Sequence, residues 1–182
     1  MEIARSADLA GAADGATWIQ AVRPRVDAAQ PGLYAIDFTG IRIATVSWLR
    51  EAVLALCRYA AAIRPEIRFV ATGLSQLVRD ELEVALEATG SVLIAADLRM
   101  DSVLTKPMVL GKLDPALRDT LRAIEDRPEF DATFVSQAIP GVGLSAANNR
   151  LASLEAKGIL SSERRGRSRF YRPILEDLRY GN

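Results

Sequence analysis

The chain has 182 residues, 49% of them hydrophobic and 25% charged, which is enough apolar material for one or two small cored domains and too much for wholesale disorder. With no histidine and one cysteine, Cys57, it can form no internal disulfide and no Ser-His or Cys-His nucleophile pair; a metal would need carboxylates or Cys57 as ligands, which excludes an ordinary zinc or thiolate sensor. The formal net charge of zero hides a split: residues 1–104 hold 10 Arg/Lys against 13 Asp/Glu, and residues 105–182 hold 13 against 10.

In chain order, Glu2–Arg5 reads as a short edge strand. Thr17–Ala29 reads as a helix with Trp18, Ile19, Val22, Val26 and Ala29 on one face, kinked or shortened by Pro24. Pro31-Gly32 is a turn. Leu33–Phe38 is a buried strand, short and apolar between turn signals. Thr45–Ile63 is a helix with Leu49, Val53, Leu56, Cys57 and Ala60 inward, ended by Pro65. Glu66–Ala71 is a second strand. Ser75–Thr89 is a second strong helix, with Val78, Leu82, Ala85 and Leu86 inward and Gly90 as its stop. Ser91–Ala96 is a third strand. Strands alternating with helices imply parallel crossovers and an open α/β sheet with helices packed on it.

Asp101–Gly111 lacks a clear period and holds Pro107, so residues 101–112 read as a linker, with a short strand at most over Ser102–Leu104. A new unit opens at Asp114-Pro115, an N-cap followed by proline at the first helical position. Leu113, Leu117, Leu121 and Ile124 form its apolar stripe. Asp131 caps a short helix, Ala132–Ile139, with Phe130 and Val135 as a hydrophobic staple. Pro140–Gly143 is a turn. Ser145–Lys157 is the next helix, its start ambiguous between Gly143 and Ser145, with Ala147, Leu151 and Leu154 facing a core and Gly158 as its stop. Ile159–Glu163 and Ser168–Arg172 read as a two-stranded ribbon around an Arg164–Arg167 turn. Ile174–Tyr180 reads as a last helical turn or an interface segment.

This order places an apolar-backed helix with a small, amide-bearing face beside an arginine-rich ribbon. Asparagine can bond bidentately to adenine, and serine can reach bases or phosphates, so Ser145, Asn148 and Asn149 are the candidate base readers. Arg164, Arg165, Arg167 and Arg169 would meet phosphates or enter the minor groove, with Arg150 and Lys157 as supporting phosphate contacts. A solvated helix face and an ordinary basic loop are the structural alternatives to each motif taken singly. The segment ANNRLASLEAKGILSSERRGRSRFYRP resembles the recognition helix and wing of bacterial winged-helix regulators of the broad MarR/ArsR type. Leu151–Ile159 carries the phrase L-x-x-L-E-x-K-G-I, and Arg164–Tyr171 carries the wing phrase R-x-G-R-S-x-F-Y. The resemblance implies a winged helix-turn-helix over residues 113–182 in a cytoplasmic transcriptional regulator that binds DNA as a dimer. It carries Ser145, Asn148 and Asn149 over to bases and Arg164, Arg165 and Arg167 to the wing. No metal-sensing role carries over, because the ligands are missing.

Residues 33–98 resemble a STAS-like α/β domain, which the expected domain division places over residues 1–100. The matching pieces are Asp37-Phe38 at a strand end, then Thr39-Gly40-Ile41, then Thr45-Val46-Ser47-Trp48 opening a helix. That resemblance implies an α/β fold used for dimerisation or signal input, not catalysis. In related anti-sigma-factor antagonists a serine after an aspartate at this helix start is phosphorylated; here Ala44-Thr45 stands near that place, and Thr45 and Ser47 read first as helix caps. Asp80, Glu81, Glu83 and Glu87 read as a solvated acidic helix face, and Cys57 as core filler.

The expectation is therefore an α/β N-terminal domain plus a mainly α C-terminal domain. Its function would be sequence-specific binding of double-stranded DNA as a homodimer, with a protein or small-molecule effector at the N-terminal domain. The alternative is a signalling adaptor whose STAS-like domain binds a regulatory partner without DNA contact. No cofactor, metal or enzymatic activity is expected. No stretch resembles a signal peptide or reaches membrane-spanning length, which implies a soluble, cytoplasmic protein.

Overall fold

The computed structural model describes residues 7–180, so the strand expected over Glu2–Arg5 lies outside the described residues. The chain is mixed α/β. Its centre is a sheet in the order β2 (Gly32–Asp37), β4 (Ile67–Thr72), β5 (Leu93–Leu98), β6 (Leu104–Leu110), β9 (Arg179–Tyr180). The first three strands run parallel, as expected from their helical crossovers. A separate parallel pair joins β1 (Asp8–Leu9) to β3 (Ile43–Ala44), closed by an Arg42–Asp8 ion pair.

One face of the sheet is covered by helices α1 (Ala12–Asp27), α2 (Val46–Leu49), α3 (Ala55–Ile63) and α4 (Gln76–Thr89). Helix α1 starts earlier than its apolar stripe suggests and carries Pro24 inside it; the carbonyl that loses its donor belongs to exposed Gln20, where water can replace the bond. Between α2 and α3 the chain makes a π-helical turn over Arg50–Leu54, which lines up Ala52, Val53 and Leu54 as fully buried contacts. Thr45 and Ser75 cap their helices by accepting from Trp48 N and Val78 N, and Gly90 ends α4 in the left-handed conformation. Arg64 reaches back to the carbonyls of Asp27 and Ala29, tying the end of α1 to the end of α3.

The stretch expected to be a linker is instead β6, antiparallel to β5. The reason it lacks a period is a bulge. Ala95 pairs with Met108 and Asp97 with Thr105, so Lys106 and Pro107 both stand opposite Ala96, and Lys106 has a positive φ of 49°. Strand β9 then pairs with β6, and the Tyr180 hydroxyl bonds with Gly111 O and Leu113 N. The segment expected as a last helical turn or interface thus ends as a sheet strand.

The second sheet face, through Val70, Ile94, Ala96 and Val109, shares a core with the C-terminal helices α5 (Pro115–Ala123), α6 (Ala132–Ala138) and α7 (Leu144–Ala156). Leu113, Leu117, Leu121 and Ile124 are buried there as their stripe requires. Asp114 and Asp131 cap α5 and α6, and Phe130 and Val135 are both buried. After α7 comes the ribbon of β7 (Leu160–Arg165) and β8 (Ser168–Pro173). Phe130 adds a bridge to Tyr171, exchanging two backbone bonds of 3.1 and 2.8 Å.

Helix α1 lies so close to α2 that a β-carbon on Gly15 would sit 2.8 Å from Trp48 O. Gly15→Ala should therefore destabilise the fold by about 1–3 kcal/mol despite alanine's better helix propensity, read as a lower denaturation midpoint. A variant as stable as the parent would mean that α1 stands off the core in solution.

Candidate nucleic-acid interface

Helix α7 begins at Leu144 with Gly143 as N-cap, which settles its start. Its apolar stripe, Ala147, Leu151 and Leu154, is fully buried. The opposite face carries Ser145, Asn149, Ala152 and Ala156 in successive turns, all exposed. Asn148 is exposed beside them, with its amide nitrogen donating to Leu144 O at 3.0 Å. Ser145, Asn148 and Asn149 therefore come together on one open surface.

The basic residues divide. Strand β7 extends through Arg165, which pairs with Ser168, so the turn is only Gly166-Arg167, with Gly166 at φ 62°. Strand alternation puts Leu160, Ser162 and Arg164 of β7 on the α7 side with Arg169 and Tyr171 of β8. The other side carries Glu163, Arg165, Phe170 and Arg172. On that outer side Arg165 binds both oxygens of Glu129 at 2.8 Å, contacts Glu163 at 2.9 Å, and lies over the Phe170 ring. Arg172 joins the same pair of carboxylates. On the α7 side Arg169 donates to Glu155 at 2.7 Å and to Ser162.

Arg165 and Arg169 are thus each paired with neighbouring carboxylates. Arg150 is half-buried and reaches Ala116 O on α5; Lys157, also half-buried, reaches Gly90 O at the end of α4. Both side chains thus make contacts between elements. Among the described residues Arg164 and Arg167 form no salt bridge, and both are exposed at the ribbon tip. The counter-ions Glu129, Glu155 and Glu163 escaped the sequence reading. Glu163 had a visible signal in its place in the ribbon, and Glu155 in the L-x-x-L-E-x-K-G-I phrase; Glu129 meets Arg165 because the Phe130 bridge lays its segment beside β8.

The N-terminal residues singled out earlier have structural work. Thr45 Oγ1 accepts from Trp48 N and Gly11 N and lies 3.1 Å from Ser47 Oγ. Glu81, expected on a solvated acidic face, is half-buried and accepts from Val46 N at 3.1 Å. A carboxylate at this helix start opposes a second negative charge there. Asp37 accepts from Thr39 N, Thr39 Oγ1 and Thr72 Oγ1, joining the ends of β2 and β4. The Cys57 thiol is pushed up to about 12 by burial, so it stays protonated. Among the described residues no three of His, Cys, Asp and Glu gather as a metal-ligand group, and no helix is long and apolar enough to cross a membrane.

No family model, curated protein or solved structure matches the chain.

Hydrogen bonds from Arg165, then Arg172, hold the Glu129 carboxyl below the usual glutamate range. A carboxyl with a depressed folded pKa stabilises the fold above its unfolded value, near 4.3, and that stabilisation is lost as pH falls through the folded value. Thermal melts of the parent should show this acid loss, and Glu129→Gln should flatten it. An unchanged acid profile in the variant would mean that the ion-pair network does not persist in solution.

Proposed function

We propose that the protein is a double-stranded DNA-binding transcriptional regulator, its C-terminal half a winged helix-turn-helix and its N-terminal half a STAS-like unit that dimerises or switches it. One observation carries the reading. The order α5, Phe130 bridge, α6, α7, β7, β8 leaves α7 buried on its apolar side and open on its Ser145–Asn149 side, next to a ribbon whose tip bears Arg164 and Arg167, exposed and without a salt bridge among the described residues. A major groove accepts such a helix, and a guanidinium reads phosphates or a narrow minor groove. In this reading Ser145, Asn148 and Asn149 face bases, while Arg164 and Arg167 meet the backbone. In a homodimer two such helices would address major grooves about 34 Å apart.

The neutralised flank of the ribbon favours a second reading, a signalling adaptor that binds a protein partner and no DNA. Selection from random duplexes, followed by a salt titration on the enriched site, separates the two. Arg164→Ala with Arg167→Ala should weaken binding on every sequence and flatten the log K against log salt slope by about 0.9 per lost phosphate contact. Glu129→Gln should do the reverse, strengthening binding and steepening the slope, because it leaves Arg165 and Arg172 only one carboxylate, Glu163, to share. Asn149→Ala should relax sequence preference at one position by about 1–3 kcal/mol. No duplex binding at low salt, with a stable protein partner co-purifying, would replace the DNA reading with the adaptor.

A further inference from the structure

A cavity of about 620 Å³ opens where the end of α7 faces the α/β half. One wall comes from the π-helical turn, α3, the start of β4 and the entry to β5, including Leu54, Cys57, Ala61, Phe69 and Val92. The other wall is Ala152, Glu155 and Ala156 of α7. The volume lies in the range of small-molecule sites, and the lining is mainly apolar with a few polar groups.

Its charges are unbalanced. Arg58, Arg68 and Lys157 all line it, against one carboxylate, Glu155. Glu155 is already committed to Arg169 and Ser162 on the ribbon. Among the described residues neither Arg58 nor Arg68 forms a salt bridge; the neighbouring Glu66 is paired with Arg64, and Arg68 adds a weaker charge interaction with it. Arg68 is half-buried, its side chain bonded among the described residues to Ile67 O of its own strand at 3.3 Å, and its stem lies against Gly158, where α7 ends. Guanidinium groups placed beside an apolar wall match a carboxylate attached to a hydrocarbon body: the head accepts from the fork and the body covers the wall.

We infer that this cavity binds a small organic carboxylate with an apolar aryl or alkyl body, its head on Arg68 and Arg58 and its body against Ala61, Val92, Ala152 and Ala156. The binding site stands on the cavity alone. A consequence rests on the DNA reading. Ala152 and Ala156 continue the stripe of Ser145 and Asn149, so the ligand body occupies space over the same face of α7 that would enter the groove. Ligand and DNA therefore oppose each other, and by linkage each lowers the affinity of the other by one common factor, about 5–150-fold for typical coupled sites.

The test uses the full chain with sodium octanoate and sodium benzoate, and octylamine as the cationic control, read by calorimetry and thermal shift. Saturable binding of at least one carboxylate with a raised melting temperature, and no binding of the amine, is the expected result. Arg58→Gln with Arg68→Gln should weaken it about tenfold or more, the scale of lost charge-assisted bonds. Ala61→Trp, an exposed position on the α/β wall, should block it by filling the cavity while α7 stays unchanged. The inference is overturned if neither carboxylate binds, if octylamine binds equally well, or if both variants bind like the parent. These measurements contain no DNA, so their failure is distinct from failure of the DNA reading. Where both hold, adding the carboxylate should release the selected duplex, and no change in duplex affinity would overturn the coupling.

Discussion

The structure depends on a sheet that must be covered on both faces. Alternate residues of the central strands point opposite ways. Ile67, Phe69 and Ala71 of β4 join the core under α1–α4, while Val70, with Ile94 and Ala96 of β5, joins the core under the C-terminal helices. Neither half can bury the sheet alone. The C-terminal helices are therefore the second cover of the sheet, and β6 and β9 stitch them to its edge. This packing sets where α7 lies, and it opens the cavity at the end of that helix.

Electrostatics then selects among the basic side chains. A guanidinium with a carboxylate at 2.8 Å on both forks has little field left for a distant phosphate. Glu129, Glu155 and Glu163 neutralise the ribbon along its length and leave Arg164 and Arg167 at its tip. The positive potential is concentrated rather than spread, which suits contact at one point of a backbone more than a broad non-specific surface. In the cavity the logic is reversed, because the one carboxylate is spent elsewhere and the guanidinium groups remain.

Much was legible in the residues themselves, wherever the determinant was local. Caps at Thr45, Asp114 and Asp131, the stop at Gly90, and the apolar stripes of α3, α4 and α5 needed only neighbours within a turn or two. The alternation of strand and helix likewise implied the parallel centre of the sheet. The surface of Ser145, Asn148 and Asn149 followed from helical spacing alone.

What the tertiary structure alone decided was whatever depends on partners distant in the chain. Pro107 and the irregular run around it hid a strand because a bulge erases the two-residue period that marks one. The fates of Arg165, Arg169, Arg150 and Lys157 turned on Glu129, Glu155, Ala116 and Gly90, and arginine or lysine in a sequence carries no sign of whether its charge will be met. Arg58, Arg68 and Ala152 share a cavity only because the second face of the sheet had to be buried. Spacing specifies which side of an element is apolar; the packing of that side against another element specifies what the remaining side faces.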